Sequence, residues 1–212
     1  MNKGQNRERN LSYSAYFSDT YFSLSQLFAL AQQIHDIHKL RPESILEIGI
    51  GNGFVSSFLK RAGYQITTAD INPSLEPDIC CPIEELPRYV NSRKFDLIVC
   101  CEVLEHMPFE DFTTNIETIR ELGDRLYMTL PNHNKSFGFG GYLKLPRMEP
   151  RFVNAYLDLP YTRPITEEHF WEVGSLPATT KKTLINILKE YYERVEVKHN
   201  LMNPYHIIFE CD

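Results

Sequence analysis

The sequence lacks a C-x-x-C pair. Its five cysteines are Cys80, Cys81, Cys100, Cys101 and Cys211, four of them in two adjacent pairs. That spacing gives neither a zinc site nor a disulfide framework, and reads instead as small buried hydrophobes in a reducing compartment. No apolar run approaches the ~18 residues of a membrane-spanning helix. The opening MNKGQNRERN has no apolar core of a signal peptide. Basic charge is short as well: 22 Lys and Arg stand against 28 Asp and Glu, a formal net charge of −6. This balance argues against nucleic acid or a membrane as partner, while leaving a local basic patch open. What remains is a chain of 212 residues, 42% hydrophobic and 24% charged. It is long enough to bury its own core as one domain, and its expected location is cytoplasmic.

Apolar residues at Leu24, Leu27, Phe28, Ala31, Ile34 and Ile37 predict a helix face that stops at Arg41-Pro42. His35 and His38 near its end read as solvated. The first ten residues are polar and read as frayed. Then the rhythm changes. Ser44–Ile48 predicts a buried strand, closed by Gly49-Ile50-Gly51-Asn52-Gly53, and Phe54, Val55, Phe58 and Leu59 mark a helix. Gln65 to Ala69, Phe95 to Cys101 and Arg125 to Leu130 predict further strands, with a helix through Phe112, Ile116, Ile119 and Leu122 between the last two. Strands alternating with helices mean βαβ units and a parallel sheet. Residues 131–164 break the pattern with five prolines and three glycines and show no clear element. Their aromatics, from Phe137 to Tyr161, argue against disorder. A helix through Leu184, Ile187, Leu188 and Tyr191 and two strands, at Val195–Val197 and Ile207–Phe209, end the chain.

The glycine loop sits between a strand and a helix, where backbone can approach a ligand and free N–H groups point outward. Asp70 ends the next strand, the place of an acid that bonds both hydroxyls of a ribose. A dinucleotide fingerprint would want Gly at position 54, which is Phe. Glu47 also stands two residues before the first glycine in an apolar strand, and a buried carboxylate is costly unless paired. The ammonium of a zwitterionic ligand, or loop N–H groups, could pair with it, whereas a diphosphate would be repelled. This weighs against a nicotinamide oxidoreductase.

The strings Glu47-Ile48-Gly49-Ile50-Gly51-Asn52-Gly53, Asp70, and Phe95-Asp96-Leu97-Ile98-Val99-Cys100-Cys101-Glu102-Val103-Leu104-Glu105-His106 resemble the class I S-adenosylmethionine-dependent methyltransferases. The resemblance is close over about residues 43–131 and loose elsewhere. It implies a Rossmann-like, doubly wound α/β fold. The sheet would have seven strands, mostly parallel with the last antiparallel, preceded by an N-terminal helix and carrying an insertion after the fifth strand. It implies that Gly49, Gly51 and Gly53 hold the methionine part of the cofactor with Glu47. Asp70, with Ile71 after it, would hold the ribose, and Cys101 and Glu102 would border the methyl donor. One departure is Cys81-Pro82-Ile83, where Pro82 replaces the Asp that binds the adenine amine in many relatives, so adenine recognition falls to backbone near Ile83 and to apolar packing.

The chain then reads as a single domain over 1–212. It divides into an N-terminal helical extension (1–42), a cofactor-binding core (43–131), a substrate-covering insertion (132–175), and a C-terminal helix and strand pair (176–212). Methyl transfer needs alignment and sometimes a base for an acceptor hydroxyl. His106, His133 and His169 are the candidate catalytic residues. No metal is required by this reading. The alternative is a magnesium site on Glu102, Glu105 and His106, with His169 or His133 added, at the spacing seen in small-RNA 2′-O-methyltransferases. Between Pro131 and Pro164, Lys135, Lys144, Arg147, Arg151 and Arg163 face only Glu149 and Asp158, which suggests a small acceptor with an acidic group such as a sugar or secondary metabolite. Tyr13, Tyr16, Tyr21 and Phe22 could fold over the cofactor. A third reading is a binding module of the same fold that does not turn over. Its weakness is that the loop glycines and Asp70 are all kept.

Overall fold

The structure, a computed structural model, describes residues 2–90, 93–160 and 163–212. Tyr161, the last aromatic of the insertion, lies outside them. The chain opens with α1 (Lys3–Arg9) and α2 (Leu24–Leu40), then β1 (Ser44–Ile48), α3 (Phe54–Arg61), β2 (Gln65–Asp70) and β3 (Ile79–Cys80). It continues through α4 (Leu86–Tyr89), β4 (Leu97–Cys101), α5 (Phe112–Leu122) and β5 (Leu126–Pro131). It ends with β6 (Lys135–Leu143), β7 (Arg151–Leu159), α6 (Lys181–Leu188), β8 (Val195–His199) and β9 (His206–Cys211). Among the described residues seven strands form one sheet in the order β3-β2-β1-β4-β5-β9-β8. β1 to β5 run parallel, and β9 is antiparallel to both β5 and β8. This is the expected doubly wound, Rossmann-like sheet.

Alternation along the strands divides the core into two layers. Ile45, Leu97, Val99, Tyr127 and Ile208 face α2 and α3 through Ile37, Val55 and Leu59. Leu46, Ile48, Ile98, Cys100 and Met128 face α4, α5 and α6 through Leu86, Ile116, Ile119, Leu184 and Leu188. Strand order reverses between β1 and β4, so their C-terminal ends splay and leave a crevice. The glycine loop follows β1 and Glu102 follows β4, which places both at its mouth.

Four sequence expectations change. The first ten residues are not frayed. Asn2 and Gln5 form a capping box, and α1 docks with Gly4 and Gln5 buried. The segment 131–164 is not without regular structure, because β6 and β7 pair over nine residues each as a hairpin. Its glycines and flanking prolines hid a regular alternation. β3 carries too short a pattern, two residues, to be read from sequence. Cys80 lies on that edge strand and is exposed, whereas Cys81, Cys100 and Cys211 are buried.

Gly4 explains how closely α1 docks. A Cβ there would lie 1.9 Å from the His106 carbonyl oxygen and 2.7 Å from the Phe170 ring. Helix propensity alone makes Gly→Ala stabilising by about 1 kcal/mol. Gly4→Ala is expected to do the reverse. Tryptic cleavage at Arg7 and Arg9 should accelerate several-fold with little change in the global melting temperature, because α1 is displaced while the sheet stays folded. Unchanged cleavage would mean α1 is not docked.

Candidate functional site

The crevice opens into a cavity of about 580 Å³, a size that takes a cofactor-sized molecule. Its floor is the C-terminal end of the sheet: Glu47, Gly49, Gly51, Asp70, Ile71, Ile83, Cys101 and Glu102 all line it. Gly53 does not. It caps α3 in the left-handed region at φ 70° and shapes the loop from below. Gly49 has φ 78°, and a Cβ there would meet Val103 Cγ2 at 2.3 Å, so this position accepts only glycine.

The Asp70 carboxylate accepts the Ile50 N–H at 2.9 Å and the Asn72 N–H at 2.8 Å. These bonds fix it beside the glycine loop, while burial raises its pKa despite them. Each oxygen keeps a lone pair for a ligand hydroxyl. Glu47 is different. Burial pushes its pKa to about 8, and its Oε2 is buried with no hydrogen-bond partner among the described residues. That orphaned oxygen is the acceptor an ammonium group would satisfy. Cys101, half-buried in the floor, has its thiol pKa pushed well up by burial, which holds it in the weakly nucleophilic thiol form. Glu102 sits at φ 55°, a strained conformation for a residue with a side chain.

The roof comes from the N-terminal extension. Tyr16 and Tyr21 line the cavity, while Tyr13 and Phe22 stay exposed. Tyr16 is held over the loop, its ring 4.0 Å from where a Gly51 Cβ would stand. Gln5 ties α1 to the floor by donating to both Glu84 oxygens at 3.2 Å.

Two of the three histidine candidates reach the cavity. His106 and His169 line it, with ring centroids 5.1 Å apart. Burial lowers the His106 pKa, so its imidazole is neutral at pH 7. Its Nδ1 lies 3.0 Å from the Glu168 carbonyl, which can only accept, and 3.3 Å from the Arg7 guanidinium, which can only donate, so these contacts admit either tautomer. His133 is the correction. It is buried, does not line the cavity, and its Nδ1 meets Glu172 Oε2 at 3.0 Å. After β5 the chain runs beside Val173, whose carbonyl accepts the His133 N–H, and this path carries the ring onto Glu172 rather than into the cavity.

Sequence reasoning gave Glu172 no role, yet it organises this wall. Its fully buried carboxylate receives His133 on one oxygen and His169 Nδ1, at 3.1 Å, on the other. Arg163 and the Tyr205 hydroxyl join them. Burial alone would raise its pKa, but the bonds from His169 and His133 and the Arg163 charge hold it below the usual range. Only the Glu-Glu-His-Phe-Trp-Glu string hinted at it, because its partners are distant in sequence.

Glu105, His106 and His169 offer ligand atoms within 4.8 Å of one another. Glu102 of the alternative metal set is not part of that group, nor is His133. Both Glu105 oxygens are buried without a hydrogen-bond partner among the described residues. Burial, then the Glu102 charge, raises the Glu105 pKa well above normal. The basic residues of the insertion play no part here. Arg163 is held by Glu172. Among the described residues of 132–175, only Thr166, Glu168 and His169 line the cavity. The expected substrate cover shrinks to that short stretch, and the support for an acidic acceptor goes with it.

Comparison with known proteins follows the same lines. A family model described as a methyltransferase domain matches residues 23–191. A ubiquinone biosynthesis O-methyltransferase of Bordetella avium is 25% identical over 161 residues, covering 68% of this chain and 62% of the relative. The chain thus spans less than two thirds of the length of the curated relatives it matches. Among solved structures, an S-adenosylmethionine-dependent methyltransferase from Archaeoglobus fulgidus shares the fold with a TM-score of 0.65 at 13% identity, covering 94% of this chain and 99% of the other. The magnesium protoporphyrin IX methyltransferase of Synechocystis PCC 6803, solved with bound S-adenosylmethionine, has a TM-score of 0.58 at 15% identity, covering 99% and 97%.

Glu47 yields a prediction for the ligand-free protein. Its folded pKa is raised, to about 8, so its contribution to stability is present at low pH and is lost as pH rises through 8. The melting temperature should fall between about pH 4.5 and pH 8 and level off above that, and Glu47→Gln should flatten the decline. An equally steep decline in Glu47→Gln would mean the carboxyl is not buried as described.

Proposed function

This chain belongs to the class I S-adenosylmethionine-dependent methyltransferases, and from that membership we propose that it transfers a methyl group from S-adenosylmethionine to a hydroxyl of a small molecule. The observation that carries this reading is His169 on the cavity wall beside His106, with its Nδ1 bonded to the buried Glu172 carboxylate. That arrangement puts the proton on His169 Nδ1 and leaves its Nε2 as the basic atom. The O-methyltransferase relative of Bordetella avium supports an oxygen acceptor.

The cofactor supplies an electrophilic methyl on a sulfonium. The chain's residues do the rest. Glu47 Oε2 accepts from the ammonium, Asp70 accepts from the ribose hydroxyls, and Cys81, Pro82 and Ile83 pack the adenine. Pro82 offers no side-chain acceptor there. Tyr16 and Tyr21 close the roof and exclude water. His169 Nε2 takes the hydroxyl proton, with Glu172 holding the opposite N–H and stabilising the imidazolium that forms. His106 lies across from it and is the alternate base.

A second reading is favoured by the orphaned oxygens of Glu105. Glu105, His106 and His169 would then hold a divalent cation, which would orient the acceptor oxygen and lower its pKa. An RNA 2′-hydroxyl is the acceptor in that alternative, against the acidic balance of the chain. Imidazole and carboxylate together suit several divalent metals better than magnesium.

Calorimetry should give micromolar binding of S-adenosylmethionine and S-adenosylhomocysteine. Asp70→Ala and Glu47→Gln should each weaken binding by about 10–100-fold, the loss of bonds to charged groups worth ~1.5–3 kcal/mol. No binding of either ligand would overturn the reading. With an acceptor found by screening small hydroxyl compounds, His169→Ala should lower kcat by about 10²–10⁴-fold with cofactor affinity unchanged. Activity that EDTA abolishes and divalent metal restores would select the second reading.

A further inference from the structure

The β6–β7 hairpin has its polarity inverted. Directly paired residues of an antiparallel ladder share a face, so the register Phe137↔Leu157, Phe139↔Ala155, Gly141↔Val153 and Leu143↔Arg151 defines one side of the ribbon. Phe137, Phe139, Leu143, Val153, Leu157 and Leu159 lie on that side, exposed by 43% to 79%. The opposite side faces the body of the protein. Asp158 bonds Ser136 at 2.7 Å and pairs with Lys181 and His199, and the Tyr156 hydroxyl donates to the Leu201 carbonyl at 2.6 Å. An ordinary half-buried hairpin would turn its apolar side inward. Here the polar side anchors the hairpin and the apolar side faces solvent.

Charge identifies what covers it. Lys144 and Arg147 in the turn and Arg151 at the start of β7 are exposed around the apolar side, with Glu149 the one acid of the turn. The chain as a whole carries −6. A second copy pairing turn to turn through this face would bring like charges together. An anionic bilayer instead accepts both features at once: apolar aromatic and branched side chains enter the interface, and cations meet headgroup phosphates. At the tip the other side is also aromatic, with Tyr142 and Phe152 at 5.5 Å and both more than half exposed, so the tip can enter from either side. The described residues of the hairpin do not line the cavity, so its apolar side is not spoken for by the site. No helix of the described residues is long and apolar enough to cross a membrane, so the contact is peripheral.

We propose that the β6–β7 hairpin docks this protein on the surface of an anionic phospholipid bilayer by inserting its apolar side.

Full-length protein is mixed with vesicles of phosphatidylcholine and phosphatidylglycerol in equal parts, or of phosphatidylcholine alone, and sedimented. Wild-type protein should sediment with the anionic vesicles and be released as salt rises to about 0.5 M. Phe139→Ser with Leu157→Ser, and separately Lys144→Glu with Arg147→Glu, should each cut binding by roughly tenfold or more. These side chains are exposed, so both variants should keep the wild-type melting temperature. Phe139→Trp adds a reporter, since the one native tryptophan, Trp171, is buried. Its fluorescence should shift to the blue on anionic vesicles and be quenched by brominated acyl chains. Wild-type protein that stays in solution with anionic vesicles overturns the proposal. So does a concentration-dependent dimer that Phe139→Ser with Leu157→Ser dissolves, which would make a second copy the occupant.

Discussion

The wall of the cavity rests on one buried carboxylate. Glu172 is fully enclosed, where an unpaired anion would be costly. It is retained because four side chains from three segments converge on it. His133 arrives from the end of β5, Arg163 and His169 from the stretch after the hairpin, and Tyr205 from the turn before β9. Its own backbone is held by Ser175 and Thr179, and its neighbour Trp171 is buried against Phe109 and Phe112. Removing the carboxylate would leave the imidazoles and the guanidinium without their common acceptor. The cavity would then lose the orientation of His169 before it lost any direct ligand contact.

Glu172 also shows how to read the other buried acids. At Glu47, Glu105 and Glu172 burial pushes the pKa up, and hydrogen bonds decide the outcome. At Glu172 the partners win and the pKa falls. At Glu47 and Glu105 no adequate partner is present, and both rise. A folded chain that satisfies one buried carboxylate so thoroughly has no structural reason to leave two others with orphaned oxygens, both on the cavity wall. Ligand atoms are the partners these oxygens lack. The ammonium assigned to Glu47 and the hydroxyl or cation assigned to the Glu105 region follow from that contrast.

Much of this was legible in the sequence, and the remainder had physical reasons to be hidden. β1, β2, β4 and β5 are short apolar runs ended by glycine, Asp70, Glu102 and a proline. These are local signals that survive without tertiary context. The loop glycines and Asp70 were equally local. α1 was hidden because its stability comes from a capping box and from the fit of Gly4 under Phe170, neither of which shows as hydrophobic periodicity. Glu172 was hidden because its partners are up to 39 residues away. His133 looked like His169 in one dimension, and only the path of the chain after β5 separates an anchor from a candidate base.

The hairpin was hidden for a further reason. Its alternation is regular, but glycines at 138, 140 and 141 thin it, and its sense is opposite to that of a strand packed on a core. A two-stranded ribbon is marginal alone. This one is held at its base by the Asp158 cluster and by the Tyr156 ring over Gly138, where a Cβ would stand only 2.2 Å from that ring. Fully burying one large apolar side chain is worth about 1.5–3 kcal/mol. Six such side chains are therefore left without full burial, while Ser136, Tyr156 and Asp158 hold the inner side through polar contacts. The free apolar area and the firm polar base together describe a rigid, presented surface, and the cations around its tip select the kind of surface it meets.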